Sequence, residues 1–559
     1  MKFFKFAILA ILAVGTLVSC RKSSDNLAES IPAGAESVTH INMESLIKKS
    51  NYNIFENATV KRGINMAKAM LKSESAVKLI EDFEKNSSAF GVTLNKDAYF
   101  FTKGSYFGLL LPVNDAKKIK ESLTKFNVDA SSIKLEKGVY SFPQTATFNV
   151  VWNDEKLLVL VQQTSLGQDT TQLSAIKLLT LDQKESILSD KNFEKFSKEQ
   201  QDISVYYSSS LYADLSSKFE NLNKSPYTIG VDKTSQEVAE AFKKIAEEFK
   251  GISFGSFISF ENGKIKTHTQ YYFETPEVET KAKKMAEQTT GEISEKYLQC
   301  ISQAPILSFV ANLKGTGYYN LLTQLGLSKT IATLTKENGI DLKSLIESVN
   351  GNVVFSLNEL TLIPKDKNLS EMDAMLTLQD NTAKPKFKLS LLAELAPNNK
   401  IGTFIDSLLA KQSADIIKKT GKAQYSVKKD DLEGFFGVKN NTFYFTTEAA
   451  TVANLGNTNP KNTYADKVKG KSCYLYGDFR PLRKFALDYF TQEGGPQAAQ
   501  YKDLVTDGLS LIETVEGYVK PDLTNEATVN FTNKKDNSLA SIFKYLDTVL
   551  TKLGAQQGL

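Results

Sequence analysis

Hydrophobic residues recur along this chain at two different spacings. Val238, Phe242, Ile245 and Phe249 fall three to four residues apart, with Glu237, Glu240, Lys243, Lys244, Glu247 and Glu248 between them, which is the pattern of an amphipathic helix. Leu539, Ile542, Phe543, Leu546, Val549 and Leu550 repeat that pattern near the C-terminus. Elsewhere the apolar runs are short and broken by Asn, Gly and Lys. Examples are Val438-Lys439-Asn440-Asn441-Thr442-Phe443, Val151-Trp152-Asn153-Asp154-Glu155-Lys156-Leu157, and the stretch from Gly255 to Phe273 with Asn262-Gly263 at its middle. Strands joined directly by such short turns are antiparallel hairpins. The predicted class is α+β, with antiparallel sheets packed with helices, and not a doubly wound parallel sheet.

The same order of elements occurs twice. The strand-like run Ser37 to Met43, leading into a helix, has a counterpart in Leu307 to Leu313. Gly91-Val92-Thr93-Leu94 pairs with Gly339-Ile340-Asp341-Leu342, and Gly108 to Asp115 with Leu391 to Asn399. Ser204-Val205-Tyr206-Tyr207 pairs with Ser472-Cys473-Tyr474-Leu475, and the hairpin Gly255 to Phe273 with Val515 to Phe531. The offsets vary from pair to pair, as in a diverged tandem duplication with loop insertions. This alignment matches Asn42 with Asn312, Gly91 with Gly339 and Val205 with Cys473, and sets His40 opposite Val310. It predicts two similar tandem halves, each an antiparallel sheet packed with helices. The predicted division is a signal peptide over 1–19, a flexible tether over 20–30, a first repeat over 31–275, a linking helical segment over 276–303 and a second repeat over 304–559.

The N-terminus carries an address. Lys2 and Lys5 form a short positive region, and Ala7 to Val18 is an apolar stretch too short to span a bilayer comfortably but suited to a secretory leader. It ends Leu17-Val18-Ser19-Cys20, which resembles the bacterial lipobox. That resemblance implies cleavage between Ser19 and Cys20, lipidation of the Cys20 thiol, and fatty acylation (palmitate) of the new amine. Multiple acyl chains exceed what stable anchoring requires. The expected location is therefore the cell envelope, lipid-anchored. The run Arg21-Lys22 after the cysteine begins basic, and surface-displayed Bacteroidota lipoproteins carry an acidic run there; an outer membrane anchor facing the periplasm is favoured over surface display.

With the lipobox, the opening Ile31-Pro32-Ala33, and the turns Gly91-Val92-Thr93-Leu94 and Gly339-Ile340-Asp341-Leu342, the whole chain resembles a family of Bacteroidota lipoproteins grouped as domain of unknown function 4836. The resemblance implies no catalytic residues.

Composition narrows the remaining chemistry. Of 559 residues, 41% are apolar and 24% charged, which excludes wholesale disorder. Lys plus Arg number 68 against 64 acids, and removing Lys2 and Lys5 leaves the mature chain almost neutral. The arginines are confined to Arg21, Arg62, Arg480 and Arg483, so bidentate recognition of phosphate or guanine has little to work with and no nucleic-acid partner is expected. Two histidines, His40 and His268, stand far apart in sequence and are read as structural or surface residues. No metal-ligand spacing or cofactor motif appears, and no catalytic residue is assigned.

Ser45-Leu46-Ile47-Lys48, Ser24-Asp25-Asn26 and Lys419-Thr420-Gly421 copy pieces of the β-lactamase signature in the wrong order, and Gly470-Lys471-Ser472 opens a strand where a phosphate loop needs a helix. Cys300 and Cys473 are either two buried thiols or one disulfide. The aromatic runs Tyr99-Phe100-Phe101, Tyr271-Tyr272-Phe273 and Phe443-Tyr444-Phe445 are read as core and cross-strand pairs, with a glycan or lipid groove as the other possibility. The expected function is a non-enzymatic binding or scaffolding module with an envelope protein or glycan partner; the alternative is a carboxylate-dependent hydrolase of envelope glycans or peptides.

Overall fold

The structure, a computed structural model, describes residues 27–70, 73–126, 128–145, 147–163, 173–213, 233–338, 340–364, 383–410, 416–429, 432–455, 464–492 and 496–556. The leader, Ser19, Cys20 and Gly339 lie outside these residues. The chain forms two compact units, one of Met1–Glu279 with Lys535–Leu559 and the other of Thr280–Lys534.

The first unit contains strands β1 Ser37–Ile41, β2 Ala98–Lys103, β3 Tyr106–Pro112, β4 Lys134–Glu136, β5 Val139–Thr145, β6 Phe148–Trp152, β7 Lys156–Gln162, β8 Ile203–Tyr207, β9 Ile252–Glu261 and β10 Lys264–Phe273. Side by side they run β4-β5-β6-β7-β3-β2-β1-β8-β9-β10, every pair antiparallel. The second unit contains β11 Leu307–Lys314, β12 Val349–Ile363, β13 Lys384–Leu395, β14 Ile417–Gly421, β15 Gln424–Lys429, β16 Leu432–Lys439, β17 Thr442–Thr446, β18 Cys473–Asp478, β19 Ile512–Val519 and β20 Asn525–Phe531. Their order is β14-β15-β16-β17-β13-β12-β11-β18-β19-β20, again antiparallel throughout. Strand for strand, the two orders are the same. The fold is α+β, with helices between and around antiparallel strands.

Local chemistry explains the hairpins. Lys439 pairs with Thr442, leaving Asn440 and Asn441 as a two-residue turn with φ of 52° and 53°. Asparagine tolerates that left-handed region better than most side chains, and the turn's twist suits the strands it joins. Asn262-Gly263 closes β9 onto β10 in the same way, with Gly263 at φ 67°.

The strand register revises the sequence alignment of the halves. Val38 lies between Phe101 and Tyr206, and Val310 lies between Val354 and Tyr474, all six fully or almost fully buried. In the shared strand order Val205 faces Thr39 and Cys473 faces Ala311. His40 then corresponds to Asn312, not to Val310, and Asn42 to Lys314, each the residue just before a helix. The expected pairing was off by two residues. Such a slip keeps the inward–outward alternation of a strand intact, so a hydrophobic pattern cannot detect it.

Alternation along the strands of the first unit separates two cores. One face carries Val38, Phe101, Leu110, Leu158, Leu160, Tyr206 and Phe257. The other carries Leu111, Trp152, Leu157 and Val159, which pack with Phe83 and Ile119 from the helices Glu74–Lys85 and Ala116–Lys125. In the second unit the buried face consists of Val310, Val354, Leu392, Tyr444 and Tyr474.

Three expected boundaries change. Residues 27–30 are not tether: Leu27, Ala28 and Ser30 are buried, and Ile31 and Ala33 are hydrogen-bonded to the 185–187 segment. The segment 276–303 is α-helical over Pro276–Thr289 and has a 3-10 turn over Leu298–Cys300, and Ile293, Tyr297, Leu298, Cys300 and Ile301 enter the second core. The last helix, Ser538–Gln556, belongs to the first unit, where Asp547 accepts hydrogen bonds from Tyr52 (2.7 Å) and Asn57, and Phe543 stacks on Tyr52 at 5.2 Å.

Asn352 holds the 293–301 segment in place. Its buried amide donates to the carbonyls of Ser294 (2.7 Å) and Lys296 (3.0 Å) and accepts from the Ser294 amide and from Asn312 Nδ2. Asn352→Ala leaves those two carbonyls and one amide without partners. We expect a loss of about 3 kcal/mol in chemical denaturation, with hydrogen-exchange protection falling first over residues 293–301; unchanged protection there would refute the role.

Candidate functional site

A cleft of about 380 Å³ opens in the second unit. A β-bulge builds it. Leu357 pairs with Leu389 and Glu359 with Lys388, so Asn358 is the extra residue between them on β12. Bulges aim a side chain out of the regular alternation. The Asn358 amide donates to the Cys300 carbonyl (3.0 Å) and to Glu448 Oε2 (3.2 Å), and accepts from the Ser302 amide (3.0 Å) and the Ser356 hydroxyl. One side chain thereby joins β12, the segment that enters the core at Cys300, and the residue that precedes the helix Ala449–Ala453.

The charged groups of the cleft are committed to one another. Lys388 is ion-paired with Glu359, and that hydrogen bond, aided by the charges of Glu359 and Glu448, holds its pKa above the ordinary lysine value. Burial pushes the Cys300 thiol up to about 12, with the charge of Glu448 adding to the effect. A thiol held protonated is a weak nucleophile at neutral pH. Cys473 on β18 is also raised by burial, and both thiols are free, so the disulfide alternative is not the arrangement found. Every carboxyl group among the described residues whose pKa departs from its ordinary value departs downward, as at Asp341 and Asp522, where hydroxyl and backbone donors stabilise the anion. A glycosidase acid needs the opposite displacement.

The other sequence candidates are dispersed. His40 is buried on β1, with Nε2 3.2 Å from Asp97 Oδ2 and its ring 5.0 Å from Tyr99; that nitrogen is within ion-pair range but not aligned for a hydrogen bond. His268 on β10 lies stacked on Phe257 at 4.7 Å. Ser45 donates to Asp202 (2.6 Å), which also accepts from Lys49 and from the Phe260 amide, so this group serves as a buried joint between helix and strand. Lys471 donates to the Lys467 carbonyl and lies over the rings of Tyr474 and Tyr518, at the start of a strand as expected. The aromatic runs alternate: Phe101, Tyr272 and Tyr444 are buried, while Phe100, Tyr271 and Phe445 are exposed. Asn358, Lys388 and Glu448 escaped the sequence reading. No spacing marks them, because a bulge and three separate segments bring them together.

A family model described as a domain of unknown function (DUF4836) matches residues 28–539. The chain belongs to this family. No match is found among curated proteins. Among solved structures, crystal forms I and III of TP0453 are similar over 45% and 49% of this chain and 80% and 91% of theirs, at 10% identity and a TM-score of 0.21. Crystal form IV is 11% identical over 44% of this chain and 81% of its own, with a TM-score of 0.22. At that level the superposition carries no argument for this member of the DUF4836 family.

The thiols give a direct check. With Cys20 replaced by Ser, we expect Cys300 and Cys473 to resist iodoacetamide at pH 8 in the native protein and to react together on unfolding. Because the folded pKa of Cys300 lies above its ordinary value, its contribution to stability is complete below about pH 9 and is lost as pH rises toward 12. Rapid alkylation of Cys300 in the native state would contradict this.

Proposed function

We propose that this member of the DUF4836 family is a membrane-tethered lipoprotein of the bacterial envelope, anchored through Cys20 and facing the periplasm. Its body is a binding or scaffolding module without catalytic turnover, built from two diverged copies of one unit. The identical strand order supports the duplication, and the Leu17-Val18-Ser19-Cys20 sequence supports the anchor. The observation that carries the non-enzymatic reading is the closed pairing in the cleft, where Lys388 is committed to Glu359, Glu448 receives Asn358, and the Cys300 thiol stays protonated. Proton transfer needs a group free to change its state near neutral pH. What this cleft offers a ligand is amide, hydroxyl and carboxylate hydrogen-bonding positions, which suits recognition of a polar envelope component, a protein segment or a glycan.

Two measurements test the proposal separately. Cys20→Ala should abolish incorporation of an alkynyl fatty acid and release the protein from the membrane fraction; labelling that persists would refute the anchor. Purified peptidoglycan incubated with the protein should show no new reducing ends or free amines. Release that disappears with Glu448→Gln would overturn the non-enzymatic reading in favour of the carboxylate-dependent hydrolase.

A further inference from the structure

The two units differ on the face of the sheet turned away from the Val38 and Val310 layers. In the first unit that face is packed against the second core around Trp152 and Val159, while Phe100 and Phe107 on it stay exposed. In the second unit it carries a row of directly cross-strand apolar partners, Leu475, Phe309, Phe355, Leu391, Phe445 and Phe436, on strands β18, β11, β12, β13, β17 and β16. Leu475 is 39% exposed and Phe445 38%, and the four between and beside them are only half-buried. The corresponding row of the first unit, by strand register, is interrupted by Ser37 and Thr102, whose hydroxyls are hydrogen-bonded to each other at 2.9 Å. The second unit's row has no hydrogen-bonding side chain at any of its six positions. The helices Gly315–Gln324, Ile401–Leu409 and Phe479–Gln492, which touch this sheet, bury between them only Gly315.

The row ends in charge. Phe436 pairs with Tyr425 on β15, and Tyr425 with Lys419 on β14. Lys419 Nζ lies 2.9 Å from Asp406 and 5.6 Å from the centre of the Tyr425 ring, and the Tyr425 hydroxyl donates to Asp406. Lys422 brings a second positive charge near the same carboxylate. Among the described residues, two ammonium groups thus stand against one carboxylate at this end.

We propose that this face of the second unit binds one long-chain fatty-acid anion, its chain along the Leu475–Phe436 row and its carboxylate at Lys419. The chemistry fits in three ways. An alkyl chain has no polar group to strand on a row without donors or acceptors, whereas a peptide or glycan does. From Leu475 to Tyr425 the row crosses six interstrand steps, about 29 Å at roughly 4.8 Å each, which accommodates an extended long chain. A half-exposed contiguous apolar surface on a folded unit is a binding surface by its energetics, and the positive end complements a carboxylate. This site is separate from the polar cleft and depends on neither the anchor nor the reading of the cleft.

The probe is oleate below its critical micelle concentration, titrated calorimetrically into the full chain carrying Cys20→Ser, without detergent. One oleate should bind per chain. Phe445→Glu and Leu475→Glu, both at exposed positions that leave the thermal midpoint unchanged, should weaken binding about 30-fold or more by placing charge against the chain. Phe107→Glu, at the position in the first unit equivalent to Leu391, should leave it unchanged. Lys419→Ala should weaken oleate several-fold and leave oleyl alcohol unaffected. No oleate binding, equal loss with Phe107→Glu, or equal loss of oleate and alcohol with Lys419→Ala would overturn the proposal. So would binding seen only to phosphatidylglycerol vesicles, which would make the face a bilayer contact instead.

Discussion

An antiparallel sheet holds its shape only if it keeps its cross-strand register, and in both units a single buried aliphatic residue marks where that register is set. Val38 is enclosed by Phe101 and Tyr206, and Val310 by Val354 and Tyr474. A one-residue slip at either place would turn a fully buried layer to the opposite face. The rest follows from that constraint: which residues line the cores, where the helices can sit, and which side chains remain for anything other than packing.

Within the constraint, bulk has been exchanged between neighbouring strands. Phe101 spreads over Gly108, where a Cβ would come within 2.1 Å of the ring, while the corresponding pair in the second unit is Val354 beside Leu392. The layer keeps its fill although neither residue type is kept, as close-packed interiors tolerate when total volume is maintained. The same freedom operates on the outer faces with a different result. Trp152, Phe83 and Ile119 pack over part of one of them, and the other carries an uninterrupted row of Phe and Leu side chains.

The cleft depends on a local break in the same ladder. The extra residue Asn358 leaves the alternation of β12, and its amide becomes a joint between Cys300, Ser302 and Glu448. Lys388 is ion-paired with Glu359 and Glu448 accepts from the Asn358 amide, so a ligand would be recognised through hydrogen bonds that these partners can share. Asn352 performs a similar task earlier on the same strand, tying Ser294 and Lys296 to the sheet.

What the sequence determined by itself are the features carried by neighbouring residues. Asn440-Asn441 and Asn262-Gly263 announced their hairpins because left-handed backbone is cheap for Asn440, Asn441 and Gly263, and the α+β class followed from the two periodicities. What only the tertiary structure decided are the features made by distant residues. The match of His40 with Asn312 was invisible because a two-residue shift preserves every inward and outward position. The last helix has an amphipathic stripe that says it must pack but not against which unit, and Asp547 finds Tyr52 and Asn57 nearly the whole chain away. Asn358, Lys388 and Glu448 meet only because a bulge on β12, the neighbouring strand β13 and the start of a helix converge, and the apolar row exists only across strands, where six side chains far apart in sequence stand side by side because hydrogen-bonded register, not chain order, sets their spacing.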